Sequence, residues 1–388
     1  MRKQVAIIGG GPSGLLLAKL LTQSDIDCIV LEKHTKEHVL SRVRAGVLEE
    51  GSVQLLEKAG VSKRLKKEGF KHNGIFLSSK NASFRINFKN LVDKCVTVYG
   101  QTEATADLYD AVERDNIVVN SASKVMPENL IAKNPTVSFT HHNQHKKISC
   151  DFVIGCDGFH GVARQQIPKA CSKVFERIYP FGWLGVLSET PPVSDELIYA
   201  NHKNGFALAS MRNESLSRYY IQTPIEDSTE NWSDQRFWDE LRNRLPNKAA
   251  EELVIGNSIE KSIAPLRSFV TEPMQYGNLF LVGDAAHIVP PTGAKGLNLA
   301  FSDVHYLHEA ICGFYQNDTQ LLNHYSARAL KRIWGAIRFS WWMTTTLHKF
   351  PEQNAFDQKI QEAELDHLKC SKNAQLNFSE NYVGLPLD

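Results

Sequence analysis

No apolar run in this chain is long enough to cross a bilayer. There is no surplus of charge either: 44 Lys and Arg against 43 Asp and Glu leave a formal net charge of +1. Such a balance argues against a broad basic surface for nucleic acid or an acidic membrane. Seven cysteines, at positions 28, 95, 150, 156, 171, 312 and 370, form no C-x-x-C pair. Their odd number and scatter argue against a disulfide frame or a zinc site and suit free thiols in a reducing cytoplasm. The sequence has no internal repeat and no low-complexity tract. The first strand pattern begins at residue 4 or 5 and glycine interrupts it, so no secretory signal is expected. What remains is an ordinary globular composition, 42% hydrophobic and 22% charged. At 388 residues it is too long for one compact core, which predicts two domains.

The chain is arranged around Val5-Ala-Ile-Ile-Gly-Gly-Gly-Pro-Ser-Gly14. Four apolar residues read as a buried parallel strand, and the glycine turn opens into a helical pattern over 15–21. Gly9 allows the tight turn, Gly11 lets a pyrophosphate approach the backbone, and Gly14 lets helix and strand pack closely. The helix start then offers bare N–H groups and a positive dipole end to a phosphate. A second strand over 28–31 ends in Glu32, a suitable distance on for a carboxylate that grips a ribose hydroxyl. Strand, turn, helix, strand and acid in this order predict a site for an ADP moiety.

Further along, the signals are mixed. The polar stretch 33–38 and the arginines Arg42 and Arg44 read equally as a solvated loop or as donors to cofactor phosphates. His72 stands at the entry to a short strand, 74–77, and residues 74–98 read as short strands with polar turns. An apolar run over 148–154 reads as one strand delivering Asp157 and Gly158 at its carboxyl end, where open α/β sheets place ligand contacts. His160 and Arg164 follow, expected one helical turn apart on one face. Residues 197–223 form an antiparallel meander in which period two puts Phe206, Leu208, Ser210 and Arg212 on one face. That arginine reads as a carboxylate clamp in an apolar pocket or as a plain edge-strand charge. Lastly, a buried strand ends in Gly283-Asp284, a Pro-Pro-Thr-Gly loop follows, and a helix opens near Gly296. Two phosphate-type turns at opposite ends of one chain imply one long cofactor.

The order of G-x-G-x-x-G, Cys156-Asp-Gly158 and Gly283-Asp-Ala-Ala-His287 resembles the FAD-dependent aromatic hydroxylases. The runs 42–48, 96–102, 179–184, 261–268, 289–299, 338–343 and 380–386 carry the likeness further, over essentially the whole chain. It weakens over 78–95 and 111–147. The resemblance implies an α/β fold: a Rossmann-like FAD-binding domain (1–72, 98–180 and 268–345) interrupted by an antiparallel substrate domain (73–97 and 181–267). A helical C-terminal region, 346–388, completes it. It also implies a cytoplasmic homodimer that hydroxylates 4-hydroxybenzoate to 3,4-dihydroxybenzoate with FAD, O2 and NADPH, NADH being possible, through a flavin C4a-hydroperoxide.

By the same resemblance, Ser210, Arg212 and Tyr220 hold the substrate. Tyr199, Tyr382 and His72 relay its phenolic proton, and the Pro291 carbonyl steadies that network. Besides Gly9, Gly11 and Gly14, flavin contacts fall on Ser13, Glu32, Arg42, Arg44, Gln101, Asp157, Asp284, Leu297 and Asn298, with Arg218 placed to influence movement of the ring. The nicotinamide nucleotide falls to Arg44, His160, Arg164 and Arg267. The chain departs from the family at Lys33, His34 and His38, where a lysine and two histidines face the extra phosphate of NADPH. No metal is expected. A hydroxylase of another phenolic acid, or a non-catalytic protein of this fold, are the alternatives.

Overall fold

A computed structural model describes residues 1–41, 46–79 and 82–387. Arg42 and Arg44 lie outside the described residues. Among those described, a six-stranded sheet runs in the order Gln275–Tyr276, Leu279–Leu281, Phe152–Gly155, Val5–Ile8, Cys28–Leu31, Val118–Val119. Its central strands are parallel and buried end to end, as continuous apolar runs covered on both faces must be. The register pairs Ile8 with Leu31 and with Gly155, and Gly155 with Leu281. The turns after these four strands therefore leave one edge side by side. Helices Pro12–Gln23, Gln101–Glu113 and Gly296–Tyr315 pack on the same core.

The apolar run 148–154 is two strands rather than one. Gln144–Ser149 belongs to a separate three-stranded sheet, and the chain re-enters at Phe152–Gly155. Asp151, between them, faces outward to pair with Arg2 at 2.5 Å and to accept from the Tyr315 hydroxyl at 2.9 Å. Hydropathy cannot register a change of sheet inside an apolar run. Likewise Phe88–Val92 is helical where strands were expected, because the Asn87 side chain caps its start and Asp93, at φ 53°, ends it.

The second sheet has eight strands, in the order His287–Ile288, Ser258–Glu272, Lys173–Ser188, Leu216–Pro224, Ala207–Asn213, Ile198–Ala200, Gly74–Ser79, Ala82–Asn87. Every pair is antiparallel except Ile198–Ala200 with Gly74–Ser79. One face packs on Phe237, Trp238 and Leu241 of helix Asp234–Arg244. The other carries Trp183, Tyr199, Phe206 and Leu208 and is closed by Phe339, Met343, Phe378 and Tyr382 from the C-terminal helices. Those helices are Gln320–Leu347, Ala355–Cys370 and Lys372–Val383. The Asn354–Asp357 capping box starts the second of them and contributes about 1 kcal/mol. No helix of the described residues is long and apolar enough to cross a membrane.

Candidate active site

At the carboxyl edge of the parallel sheet the turns are made by backbone. A Cβ on Gly9 would overlap the Cys156 carbonyl, and one on Gly14 would overlap Gly9 O, so both glycines are forced by packing within the protein. Gly11, Gly158 and Gly296 are different: nothing lies within 4 Å of where their Cβ would be. That bare backbone borders open space, with Gly11 before helix Pro12–Gln23 and Gly296 opening helix Gly296–Tyr315. Gly283, at φ 63°, brings the last turn up to Ser13, whose Oγ would lie 3.7 Å from its Cβ. Glu32 is held between the glycine turn and its own loop, since its oxygens accept from Gly10 N at 2.6 Å and His34 N at 2.7 Å.

Asp157 accepts from Ala163 N at 2.9 Å, while its Oδ1 is buried with no partner. Burial raises its pKa. An orphaned carboxylate oxygen beside bare glycines fits a dinucleotide that brings hydroxyl donors. Gln101 opens helix Gln101–Glu113, Asp284 sits in the Gly283–Ala285 turn, and Leu297 and Asn298 lie in the first turn of helix Gly296–Tyr315. The Asn298 side chain is engaged elsewhere, accepting from Glu49 N and Ser52 Oγ and donating to Val47 O and Ala294 O. Its backbone is what remains for a ligand.

On the second sheet, Tyr199 pairs with Leu208, Leu208 with Tyr220, Tyr220 with Gly185, and Ser210 with Arg218. Residues directly opposite share a face, so these side chains converge from three strands beside the bare Gly185 of a fourth. Arg212 is not an edge charge, because its strand lies inside the sheet. The register slips between Met211 and Asn213, which makes Arg212 the extra residue of a β-bulge, a device that re-aims a side chain. Arg212 as a residue is half-buried, yet its Nε and Nη1 are closed off from solvent without an acceptor. Burial lowers its pKa, with Tyr220 opposing. A buried guanidinium with two unused donors fits a carboxylate brought from outside. Ser210 Oγ donates to Met211 O at 3.3 Å. Arg218 is only partly engaged: it lies 2.9 Å from Glu260 in an ion pair and donates to Ser262 Oγ at 3.2 Å, while its buried Nε has no acceptor.

Tyr199 and Tyr382, 183 residues apart, bring their hydroxyls to 2.8 Å. Burial raises the pKa of both. His72 is not hydrogen-bonded to this pair among the described residues; its Nε2 lies 3.4 Å from Met211 Sδ and burial lowers its pKa to about 4. Pro291 starts a short turn whose carbonyl accepts from Ala294 N at 2.9 Å.

The family described as FAD binding domain matches residues 2–340. The p-hydroxybenzoate hydroxylase of Acinetobacter baylyi (strain ATCC 33305 / BD413 / ADP1) is 53% identical over 390 residues, spanning 100% of this chain and 96% of that protein. The chain belongs to this family of FAD-binding hydroxylases. The kynurenine 3-monooxygenase of Anopheles gambiae is 24% identical over 345 residues, 84% of this chain and 70% of that protein. A crystal structure of p-nitrophenol 4-monooxygenase from Pseudomonas putida DLL-E4 shares the fold, with a TM-score of 0.80 at 17% identity over 99% of both chains. The protein is thus a flavoprotein monooxygenase.

In this hydroxylase, His160 and Arg164 are not one helical turn apart. The chain turns at Gly158, φ 73°, and only Arg164–Gln166 is helical, because the Asp157 carboxylate draws in Ala163 N and fills the space beside Gly161. Arg164 is sandwiched by Phe159 at 4.7 Å and Phe269 at 4.5 Å and donates to Phe159 O and Ala285 O. Arg267 covers Phe159 at 4.6 Å, and His160 meets the same ring edge-on. Lys33 is exposed, and the His34 and His38 rings stack 4.1 Å apart.

Sequence reasoning missed Gly185, whose Cβ would lie 2.7 Å from Tyr220 Cε1; a glycine inside a strand was the available signal. It also missed the buried cluster of Glu49, Lys295 and Arg332, and the pair His287–Asp303 at 2.7 Å, whose carboxylate also accepts from Gly283 N. No group of metal-binding side chains occurs among the described residues.

Proposed function

We propose that this enzyme hydroxylates 4-hydroxybenzoate to 3,4-dihydroxybenzoate, with O2 and with NADPH as preferred donor. The observation that carries this is the Arg212 guanidinium, buried with unused donors near Tyr220, on the sheet that also presents the Tyr199–Tyr382 pair. A carboxylate would meet Arg212 and a phenol the tyrosine pair. The name of the 53% identical relative supports the same substrate.

FAD, when bound, supplies the redox chemistry, accepting electrons from the nicotinamide and activating O2. Gly9, Gly11, Ser13, Gly14, Glu32, Asp157, Asp284 and the backbone of Leu297 and Asn298 would hold it, with Gln101 at the start of its helix, and Arg42 and Arg44 belong to the same reading. Arg212 and Ser210 orient the substrate. Tyr199 accepts the phenolic proton in concert with Tyr382, each hydroxyl both donating and accepting. Loss of that proton makes the ring carbon beside the phenolate electron-rich, which is what attack on an electrophilic oxygen requires. His72 and the Pro291 carbonyl complete the relay and Arg218 influences the ring, while Lys33, His34, His38, Arg44, His160, Arg164 and Arg267 receive the nicotinamide nucleotide. The domain division given above, a cytoplasmic location and a homodimer belong to the same reading. Exposed Trp334, Trp341 and Phe356 on the C-terminal helices support self-association.

The test is NADPH and NADH oxidation with and without 4-hydroxybenzoate, with the product identified. Tyr199→Phe should bind substrate nearly normally and oxidise NADPH while releasing hydrogen peroxide instead of product. Coupled hydroxylation by that variant would reduce Tyr199 to a packing residue. Stimulation by a different phenolic acid alone would reassign the substrate.

A further inference from the structure

The segment after the last helix is fastened down. Gly384 follows helix Lys372–Val383 with φ 95°, and a Cβ there would overlap Glu49 Oε2, so only glycine lets the chain pass that carboxylate. Beyond it, Arg332 Nη1 donates to Leu385 O at 2.8 Å and Pro386 O at 2.9 Å, while Nη2 donates to Glu49 Oε2 at 3.1 Å. The other Glu49 oxygen accepts from Lys295 Nζ at 2.6 Å, and that ammonium also donates to Tyr382 O at 2.8 Å. The three side chains are 7%, 4% and 12% exposed for Glu49, Lys295 and Arg332.

Two cations around one carboxylate leave donors over, and buried donors need acceptors. Here the carbonyls of residues 382, 385 and 386 supply them. The charge cluster and the tail therefore complete one another. Tyr382 stands at the start of this strap, its ring stacked on Phe88 at 5.0 Å and on Phe378 at 5.7 Å. Its hydroxyl is 2.8 Å from Tyr199, and a displacement of about 1 Å would break that bond.

We propose that Arg332 is a positioning residue for hydroxylation: by clamping the tail onto Glu49 it sets Tyr382 within hydrogen-bonding reach of Tyr199. Arg332 touches neither tyrosine, and the inference rests on the relay reading of Tyr199 and Tyr382 above. It predicts that the strap governs substrate ionisation and product yield more than flavin binding.

The experiment uses FAD-loaded, full-length Arg332→Gln, Arg332→Lys, Gly384→Ala and Tyr382→Phe beside the parent. Two quantities are read: the pH titration of the ultraviolet spectrum of bound 4-hydroxybenzoate, and 3,4-dihydroxybenzoate formed per NADPH oxidised. Charge-assisted hydrogen bonds to the tail are lost in Arg332→Gln and misplaced in Gly384→Ala. Both should lower the phenolate-to-phenol ratio of bound substrate roughly tenfold and reduce product yield, with FAD retained. Arg332→Lys keeps the ion pair but not the fork, and should fall between Arg332→Gln and the parent. Parent-like ionisation and yield in both Arg332→Gln and Gly384→Ala, while Tyr382→Phe loses product, would overturn the latch and leave the relay standing. Full yield from Tyr382→Phe would overturn the relay and the latch with it. Loss of FAD or fold in both strap variants also overturns it, by making the cluster a stability element alone.

Discussion

The edge of the parallel sheet and the face of the eight-stranded sheet are built by opposite means. At the edge, Gly11, Gly158 and Gly296 leave bare backbone against open space, while Gly9 and Gly14 let the turn pack against the protein itself. On the face, the groups are side chains: Arg212, Tyr220 and Tyr199, with Tyr382 from 183 residues further on. Backbone recognition needs only spacing within one turn, so it is written in short motifs. Side-chain recognition needs register among strands and a helix that closes over them, so a small slip moves every group. A nucleotide common to many enzymes suits the first, and a particular aromatic acid suits the second.

The comparison is most easily broken at Arg212. Arg212→Ala removes the cation assigned to the expected carboxylate, and loss of a buried charge pair costs about 3–5 kcal/mol. Affinity for 4-hydroxybenzoate in a flavin absorbance titration should fall hundreds-fold or more, while FAD content stays at the parent value. Unchanged affinity would move the clamp elsewhere.

At the other end two glycines should behave differently. Gly14→Ala forces a Cβ onto Gly9 O, and overpacking of this kind costs roughly 1–3 kcal/mol in the apoprotein itself. Gly11→Ala meets nothing within 4 Å, so the apoprotein should melt like the parent and lose only FAD affinity. Melting of the two apoproteins and FAD retention on ultrafiltration separate the cases. Equal melting of both would mean the Gly9–Gly14 contact is loose.

Acid should act on the substrate end through two buried imidazoles. Burial lowers the pKa of His348 to about 3 and of His72 to about 4. His348 is held neutral, accepting from Trp183 Nε1 at 2.7 Å while its Nδ1 meets Thr344 O at 3.0 Å. The unfolded chain takes up these protons below about pH 6.5, whereas the folded chain does not until pH 3–4. The stability they contribute is therefore complete above about pH 6.5 and is lost as pH falls, by about 1.4 kcal/mol per pH unit for each. Burial also lowers His308 to about 4, so denaturant titrations between pH 7 and 4.5 should show a steeper total slope, reduced by one proton in His72→Asn.

The smallest effect is expected at Lys33, His34 and His38. An exposed lysine gives a 2′-phosphate a point charge rather than a fork, so NADPH should exceed NADH in kcat/KM by roughly tenfold. Salt should narrow the margin, as should Lys33→Ala. Equal use of NADH at low salt would overturn the preference.

Much of the nucleotide edge was legible in the linear sequence. Gly9 to Glu32, the turn at Asp157 and the helix at Gly296 follow from local rules of strand, turn and helix start, which act over a few residues. The meander over 197–223 was legible too, and Arg212 stood out as an odd charge, yet clamp and edge charge could not be told apart. The interior place of its strand excludes the edge charge, and the bulge turns the side chain; both are pairings with other strands. The break of sheet at Asp151 and the absence of a helix between His160 and Arg164 were hidden because side-chain contacts override hydropathy and spacing: a distant ion pair at Asp151, and the Asp157 carboxylate on the Ala163 N–H. Composition and short-range pattern determined the fold class and the phosphate turns, because those depend on backbone freedom and burial along contiguous segments. The Tyr199–Tyr382 contact, the space Gly185 leaves for Tyr220, and the cluster of Glu49, Lys295 and Arg332 were decided by tertiary structure alone, since each joins residues whose nearness exists only after the chain has closed on itself.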